Sequence, residues 1–169
     1  MKPNFGTDFG GVIVKNRKWF VGENPDFNDP NDSAAAREGV VEAISEIVSL
    51  CEGRVWIVSK GGPRRQAATF AWLHDFQFFS RTGLDPEHVV FCRERQEKEG
   101  ICRQLEITHF VDDRIHVMQI LRYAVPHLYL FVNPGNERFC PPWATPVFSW
   151  SEVVQLFKAS LEQGRSTPK

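Results

Sequence analysis

Apolar and polar positions along this chain follow two rhythms. Short unbroken apolar runs alternate with stretches whose apolar residues recur three and four apart, a pattern that predicts strands of a parallel sheet joined by helices. Residues 54–59 (RVWIVS), 88–92 (HVVFC), 107–112 (ITHFVD) and 127–132 (HLYLFV) read as buried strands, preceded by a shorter apolar stretch ending at Asp8. Val40, Val41, Ile44, Ile47 and Val48 form a helical stripe that follows small residues and a capping Ser33. Residues 63–79 read as one helix with Pro63 in its first turn, and Val117, Ile120, Leu121 and Ala124 repeat the helical stripe. Ser149-Trp150-Ser151-Glu152 has capping-box spacing and opens a last helix that stops at Gly164. Residues 15–32 and 133–146, rich in Asn, Asp and Pro, read as loops.

The expected architecture is therefore α/β. A three-layer Rossmann-like domain has a mainly parallel central sheet with helices on both faces. It spans residues 1–164 with a minimal flap at 15–32, and 165–169 is a polar tail.

Composition adds little that is unusual. The chain has 169 residues, 42% hydrophobic and 24% charged, and 14 Phe with 5 Trp can fill one core without disulfides or metals. Lys+Arg 20 against Asp+Glu 21 leaves a net charge of -1, which gives no signal for nucleic acid or for a polybasic membrane clamp. Cys51, Cys92, Cys102 and Cys140 form no Cys-x-x-Cys pair, so they read as reduced structural thiols rather than zinc ligands. With no apolar signal core and no membrane-length run, the expected setting is cytoplasmic.

Candidate chemistry follows from where the strands stop, since ligands of such sheets bind at the carboxyl ends of strands. Thr7-Asp8-Phe9-Gly10-Gly11 joins a carboxylate to a glycine turn whose amides can face an anion. Ile57-Val58-Ser59-Lys60-Gly61-Gly62 ends its strand on a hydroxyl, a cation and mobile backbone, with Pro63 opening the next helix. Phe110-Val111-Asp112-Asp113-Arg114 delivers an acid pair, which repels itself unless a cation or a basic partner is near. Oxygen ligands of this kind suit magnesium.

The order of these motifs resembles the haloacid dehalogenase-like superfamily, over element order from about Phe5 to Phe157. The resemblance implies a phosphatase or phosphotransferase with Asp8 as nucleophile, Ser59 holding a phosphoryl oxygen and Lys98 balancing charge. It also implies Mg2+ held by Asp8, the Gly10 carbonyl and the Asp112-Asp113 pair. Asp113 is the expected direct ligand and Asp112 the outer one. Gly10, Gly11, Ser59, Lys60 and Gly61 would line the phosphate site, and the partner would be a phosphorylated substrate of unknown identity.

One position departs from the family pattern. Its phosphatases carry a second Asp two residues after the nucleophile, as proton donor to the leaving group, and here that residue is Gly10. General acid–base help is typically worth about 10^2–10^4 in rate. Three outcomes follow: substrates with good leaving groups, another side chain as acid (His109, His116 or Glu97), or a binding module without turnover. The histidines otherwise read as half-buried core residues, and Trp19 and Phe20 as packing or a small flap. A sugar-kinase reading of Gly6-Thr7-Asp8-Phe9-Gly10-Gly11 fails on length, since two lobes are needed. A metal-free dehalogenase reading leaves the acid pair unexplained.

Overall fold

The apolar runs lie side by side as a parallel sheet in the computed structural model, which describes residues 2–19, 32 and 34–165. In chain order the elements are β1 (Phe5–Thr7), α1 (Val40–Leu50), β2 (Val55–Lys60), α2 (Pro63–Asp75), α3 (Phe78–Thr82), β3 (Val89–Cys92), α4 (Glu97–Gln104), β4 (His109–Asp112), α5 (Ile115–Leu121), β5 (His127–Phe131), β6 (Thr145–Val147) and α6 (Trp150–Arg165). The six strands run β3-β2-β1-β4-β5-β6, every neighbouring pair parallel. The expected α/β Rossmann-like architecture is thus present, with the sheet wholly parallel.

Side-chain alternation divides the core in two. Val55 and Ile57 of β2, with Val111 of β4, face one layer built on α1, α2 and α6, where Ile44, Ile47, Trp72 and Phe157 are fully buried. Val58 and Phe110 face the other, against Cys102 of α4 and Val117, Met118 and Leu121 of α5. Two indole N–H groups fix the chain around the first strand end: Trp150 donates to the Val12 carbonyl (3.0 Å) and Trp72 to that of Ala34 (2.8 Å). Trp19 is buried edge-on to Phe9, so it packs rather than standing away from the fold. No described helix is long and apolar enough to cross a membrane.

Four details differ from the sequence reading. The segment expected as one helix over 63–79 breaks where Gln77 takes a left-handed φ of 55°, which turns the chain between α2 and α3. Residues 145 and 146, expected as the end of a loop, join Val147 in β6, an edge strand that tolerates Pro146 because one side of it has no neighbour to pair with. The strand expected from Ile107 starts two residues later, at His109. The first helix starts at Val40 behind a left-handed Gly39 (φ 74°); Ser33, its expected cap, lies outside the described residues, as do Phe20 and most of the expected flap. At the last helix Ser149 Oγ accepts the Glu152 amide (3.2 Å), and Glu152 reaches back to the amide of Phe148, one residue before the cap. Cys51, Cys92 and Cys102 are buried and free, as expected of structural thiols.

Candidate active site

Sheet register brings the predicted residues together. Thr7 of β1 lies opposite Val111 of β4 and Ile57 of β2, so Asp8 emerges level with Asp112, and Ser59 emerges one residue further on the other side. The Asp8 amide bonds the Val111 carbonyl (3.0 Å), which carries the pairing past the end of β1. Lys98 comes from α4 and is 1% exposed. Its ammonium lies 3.0 Å from Asp112 Oδ2 and 3.3 Å from Asp8 Oδ1.

Asp8, Asp112 and Asp113 each offer an oxygen within 4.8 Å of the others. Their roles in the hydrogen-bond network differ. Fully buried Asp112 spends both oxygens, one on Lys98 and one on the Arg114 amide (3.0 Å). Asp113 Oδ2 takes Arg17 at 2.9 Å, while Asp113 Oδ1 is buried without a hydrogen bond. Asp8 Oδ1 is likewise buried without one, its 3.3 Å approach to Lys98 being an ion-pair contact only. Burial pushes the Asp112 carboxyl up to about 7 against the pull of Lys98, with Asp8 and Asp113 adding to the push. Burial likewise raises Asp113, with Asp8 adding, against Arg17 and Arg114. For Lys98, burial acts to lower its pKa, but Asp112 and Asp8 outweigh it and hold the ammonium above the usual lysine value. Two orphaned buried oxygens among crowded carboxylates are a donor set that suits a hard divalent cation.

Phe9 and the two glycines shape the turn. The amides of Val12, Ile13 and Val14 all converge on the Phe9 carbonyl, winding one tight turn directly after Asp8. Gly11 has φ +80°, and a Cβ there would stand 2.3 Å from Asp113 Oδ2, so only glycine lets the acid pair close against the turn. Arg37, with its guanidinium over the Phe131 ring, donates to the Gly11 carbonyl at 2.6 Å and fixes the turn from behind. Gly10 differs: a Cβ there meets Trp19 Nε1 at 3.5 Å and the Arg17 carbonyl at 3.6 Å, ordinary contacts.

Asp8, Gly10, Ser59, Lys60, Gly61 and Lys98 all line one cleft of about 570 Å³. Gly11, Asp112 and Asp113 do not line it, and Asp113 lines a neighbouring hollow. Gly61 already donates its amide to the Cys92 carbonyl (3.0 Å), and Lys60 pairs with Glu94 at 3.3 Å. Arg17, Lys18, Arg65, Arg95 and Arg114 complete the wall. Sequence reasoning missed Arg17, Lys18 and Arg95 as cations of this cleft. Arg17 and Lys18 follow β1 and Arg95 follows β3, and each looks like an ordinary solvated charge within its own segment.

Of the side chains considered as substitute acids, none lines the cleft with Asp8. His109 begins β4, at the opposite end of the strand from the cleft, where its ring bonds Thr108 and Ser160 (2.8 Å each). Glu97 Oε2 accepts the Arg93 amide at 3.0 Å. His116 is exposed and lines a neighbouring hollow.

Among solved structures the fold matches that of D,D-heptose 1,7-bisphosphate phosphatase from Burkholderia thailandensis, with a TM-score of 0.58 at 16% identity over 92% of this chain and 98% of that one. It also matches a haloacid dehalogenase-like hydrolase from Burkholderia xenovorans LB400, with a TM-score of 0.53 at 13% identity over 79% of this chain and 63% of that one. At such identities the likeness is one of fold: the chain has the haloacid dehalogenase-like α/β fold. No family model and no curated protein matches the sequence.

Proposed function

We propose that the protein is a magnesium-dependent phosphoryl-transfer hydrolase with Asp8 as nucleophile. The observation that carries this reading is the buried Asp8 carboxylate in ion-pair contact with Lys98, with that oxygen left without a hydrogen bond in a basic cleft. The shared fold with a bisphosphate phosphatase supports the same chemistry.

Asp8 attacks phosphorus and forms an aspartyl phosphate, which water then hydrolyses, so one difficult transfer becomes two easier ones. Asp8, the Gly10 carbonyl and Asp113 would hold the magnesium ion, which supplies charge neutralisation on the phosphate. Asp112 positions rather than ligates, since both its oxygens are already engaged. Ser59 donates to a phosphoryl oxygen, and Lys98 offsets the charge that builds between Asp8 and the incoming phosphate. Because Gly10 cannot donate a proton, activity toward esters of poorly acidic alcohols is low.

Gly10 also favours a second reading, a metal- and phosphate-binding or protein-interaction module without turnover. Calorimetric titration with magnesium and then beryllofluoride, a phosphoryl mimic, tests the site shared by both. Magnesium binding should vanish in Asp113→Asn, and beryllofluoride binding should vanish in Asp8→Asn. Absence of heat at millimolar magnesium in the unmodified protein overturns both readings.

A further inference from the structure

Two observations meet in the Asp8 cleft. The first is positive charge beyond what one phosphate needs. Arg17, Lys18, Lys60, Arg65, Arg95 and Arg114 surround it, in a chain whose net charge is -1. Arg17 is engaged by Asp113 and Lys60 by Glu94, whereas among the described residues no carboxylate lies within ion-pair distance of Arg95 or Arg114, although the charge of Arg114 is felt by Asp113. Arg17, Arg95 and Arg114 also wall a second hollow of about 330 Å³ bordered by Asp113. The three arginines therefore line both spaces, the one that holds Asp8 and the hollow beside it.

The second observation is the missing proton donor. The Gly10 backbone has room for a side chain, so steric crowding does not explain its absence. His109 faces away, Glu97 is spent on a backbone amide, and exposed His116 lines the second hollow but not the cleft that holds Asp8. An alkyl phosphate expels an alkoxide and needs an acid at that moment. A phosphate expelled from a P–O–P bridge does not, because its second ionisation lies at about pKa 6 to 7, and the orthophosphate released from pyrophosphate leaves with one proton already on a non-bridging oxygen. What it does need is positive charge, and a guanidinium meets phosphate oxygens with paired N–H donors.

We propose that the substrate is a phosphoric anhydride, with Arg95 and Arg114, and Arg17 beside them, binding the phosphate that leaves. This rests on Asp8 acting as nucleophile. An Asp8 oxygen forms a bond to the terminal phosphorus as the bridging P–O bond breaks. The electron pair of that bond stays on the bridging oxygen, which departs unprotonated as part of a phosphate held by the arginines. Water then attacks the aspartyl phosphate, the bond between phosphorus and the Asp8 oxygen breaks, and Asp8 is regenerated as carboxylate. Both protons of that water leave with the product as dihydrogen phosphate, so the anhydride and one water give two phosphates with no donor required from the protein.

Three probes separate charge from leaving-group acidity: inorganic pyrophosphate, p-nitrophenyl phosphate, whose leaving group is comparably acidic but carries no phosphate charge, and glycerol 2-phosphate. With magnesium present, kcat/KM should fall in that order, by at least about 100-fold from first to last, the range a missing general acid spans. Arg95→Gln and Arg114→Gln should each lower kcat/KM for pyrophosphate at least about tenfold and change that for p-nitrophenyl phosphate several-fold less. Equal losses on both probes, or glycerol 2-phosphate matching pyrophosphate, overturns the proposal. So does turnover of p-nitrophenyl phosphate without pyrophosphate, which leaves the nucleophile standing. Failure of every probe together with failure of acetyl phosphate to label Asp8 overturns the nucleophile itself.

Discussion

Replacing Gly10 with aspartate supplies the proton donor whose absence shapes this account. The structure sets the cost of the change. A Cβ at this position makes only van der Waals contacts, 3.5 Å to Trp19 Nε1 and 3.6 Å to the Arg17 carbonyl, and the backbone φ is not left-handed. The steric part of the stability change should therefore be no more than about 0.5–1 kcal/mol, with charge repulsion adding to it at neutral pH. The new carboxyl joins Asp8, Asp112 and Asp113, whose charges raise its pKa and keep part of it protonated and able to donate. General acid catalysis contributes about 10^2–10^4, or about 2.7–5.4 kcal/mol of barrier at 1.36 kcal/mol per tenfold. Steady-state release of phosphate from glycerol 2-phosphate, with magnesium, should rise by that factor in Gly10→Asp, while turnover of pyrophosphate changes less than about tenfold. If the variant folds, binds magnesium and still leaves glycerol 2-phosphate untouched, the reasoning about the acid is wrong.

Two further outcomes follow from burial. Lys98→Met removes the one buried cation from between Asp112 and Asp8, and breaking such a pair should cost about 3–5 kcal/mol in metal-free urea unfolding at neutral pH, with partial recovery on adding Asp112→Asn; a loss under about 1 kcal/mol would contradict the buried-pair assignment. Burial, with His127 alongside, lowers His109 to about 3, so its ring is neutral in the fold while the unfolded chain protonates near 6.5. Between those values the unfolded state binds the extra proton, so this contribution is complete above the upper value and is lost on acidification, by about 1.4 kcal/mol per pH unit. Urea melts at several pH values should show a flatter pH dependence for His109→Gln than for the unmodified protein, and parallel curves would refute the assignment.

The strands were legible because a parallel sheet buried on both faces demands unbroken apolar runs, which residues 54–59 and 127–132 supply. β6 was not, since three residues with a central proline carry no period, and only pairing with β5 defines them. The break at Gln77 was hidden because no glycine marks its left-handed φ. Asp8, Ser59 and the Asp112-Asp113 pair could be placed at strand ends from the sequence, but their meeting depends on β1 standing between β2 and β4, which is a matter of strand order. The arginines were the least legible part. Arg17, Arg95 and Arg114 follow three different strands, each resembles a solvated charge in its own segment, and the near-neutral total conceals their concentration at one cleft.

Phosphoryl transfer through Asp8 has a covalent signature. The protein, incubated with magnesium and acetyl phosphate and quenched in acid, should gain the mass of one phosphoryl group, mapped by peptide analysis to Asp8 and absent in Asp8→Asn. An unmodified mass, or a phosphoryl group on any other residue, would contradict the account.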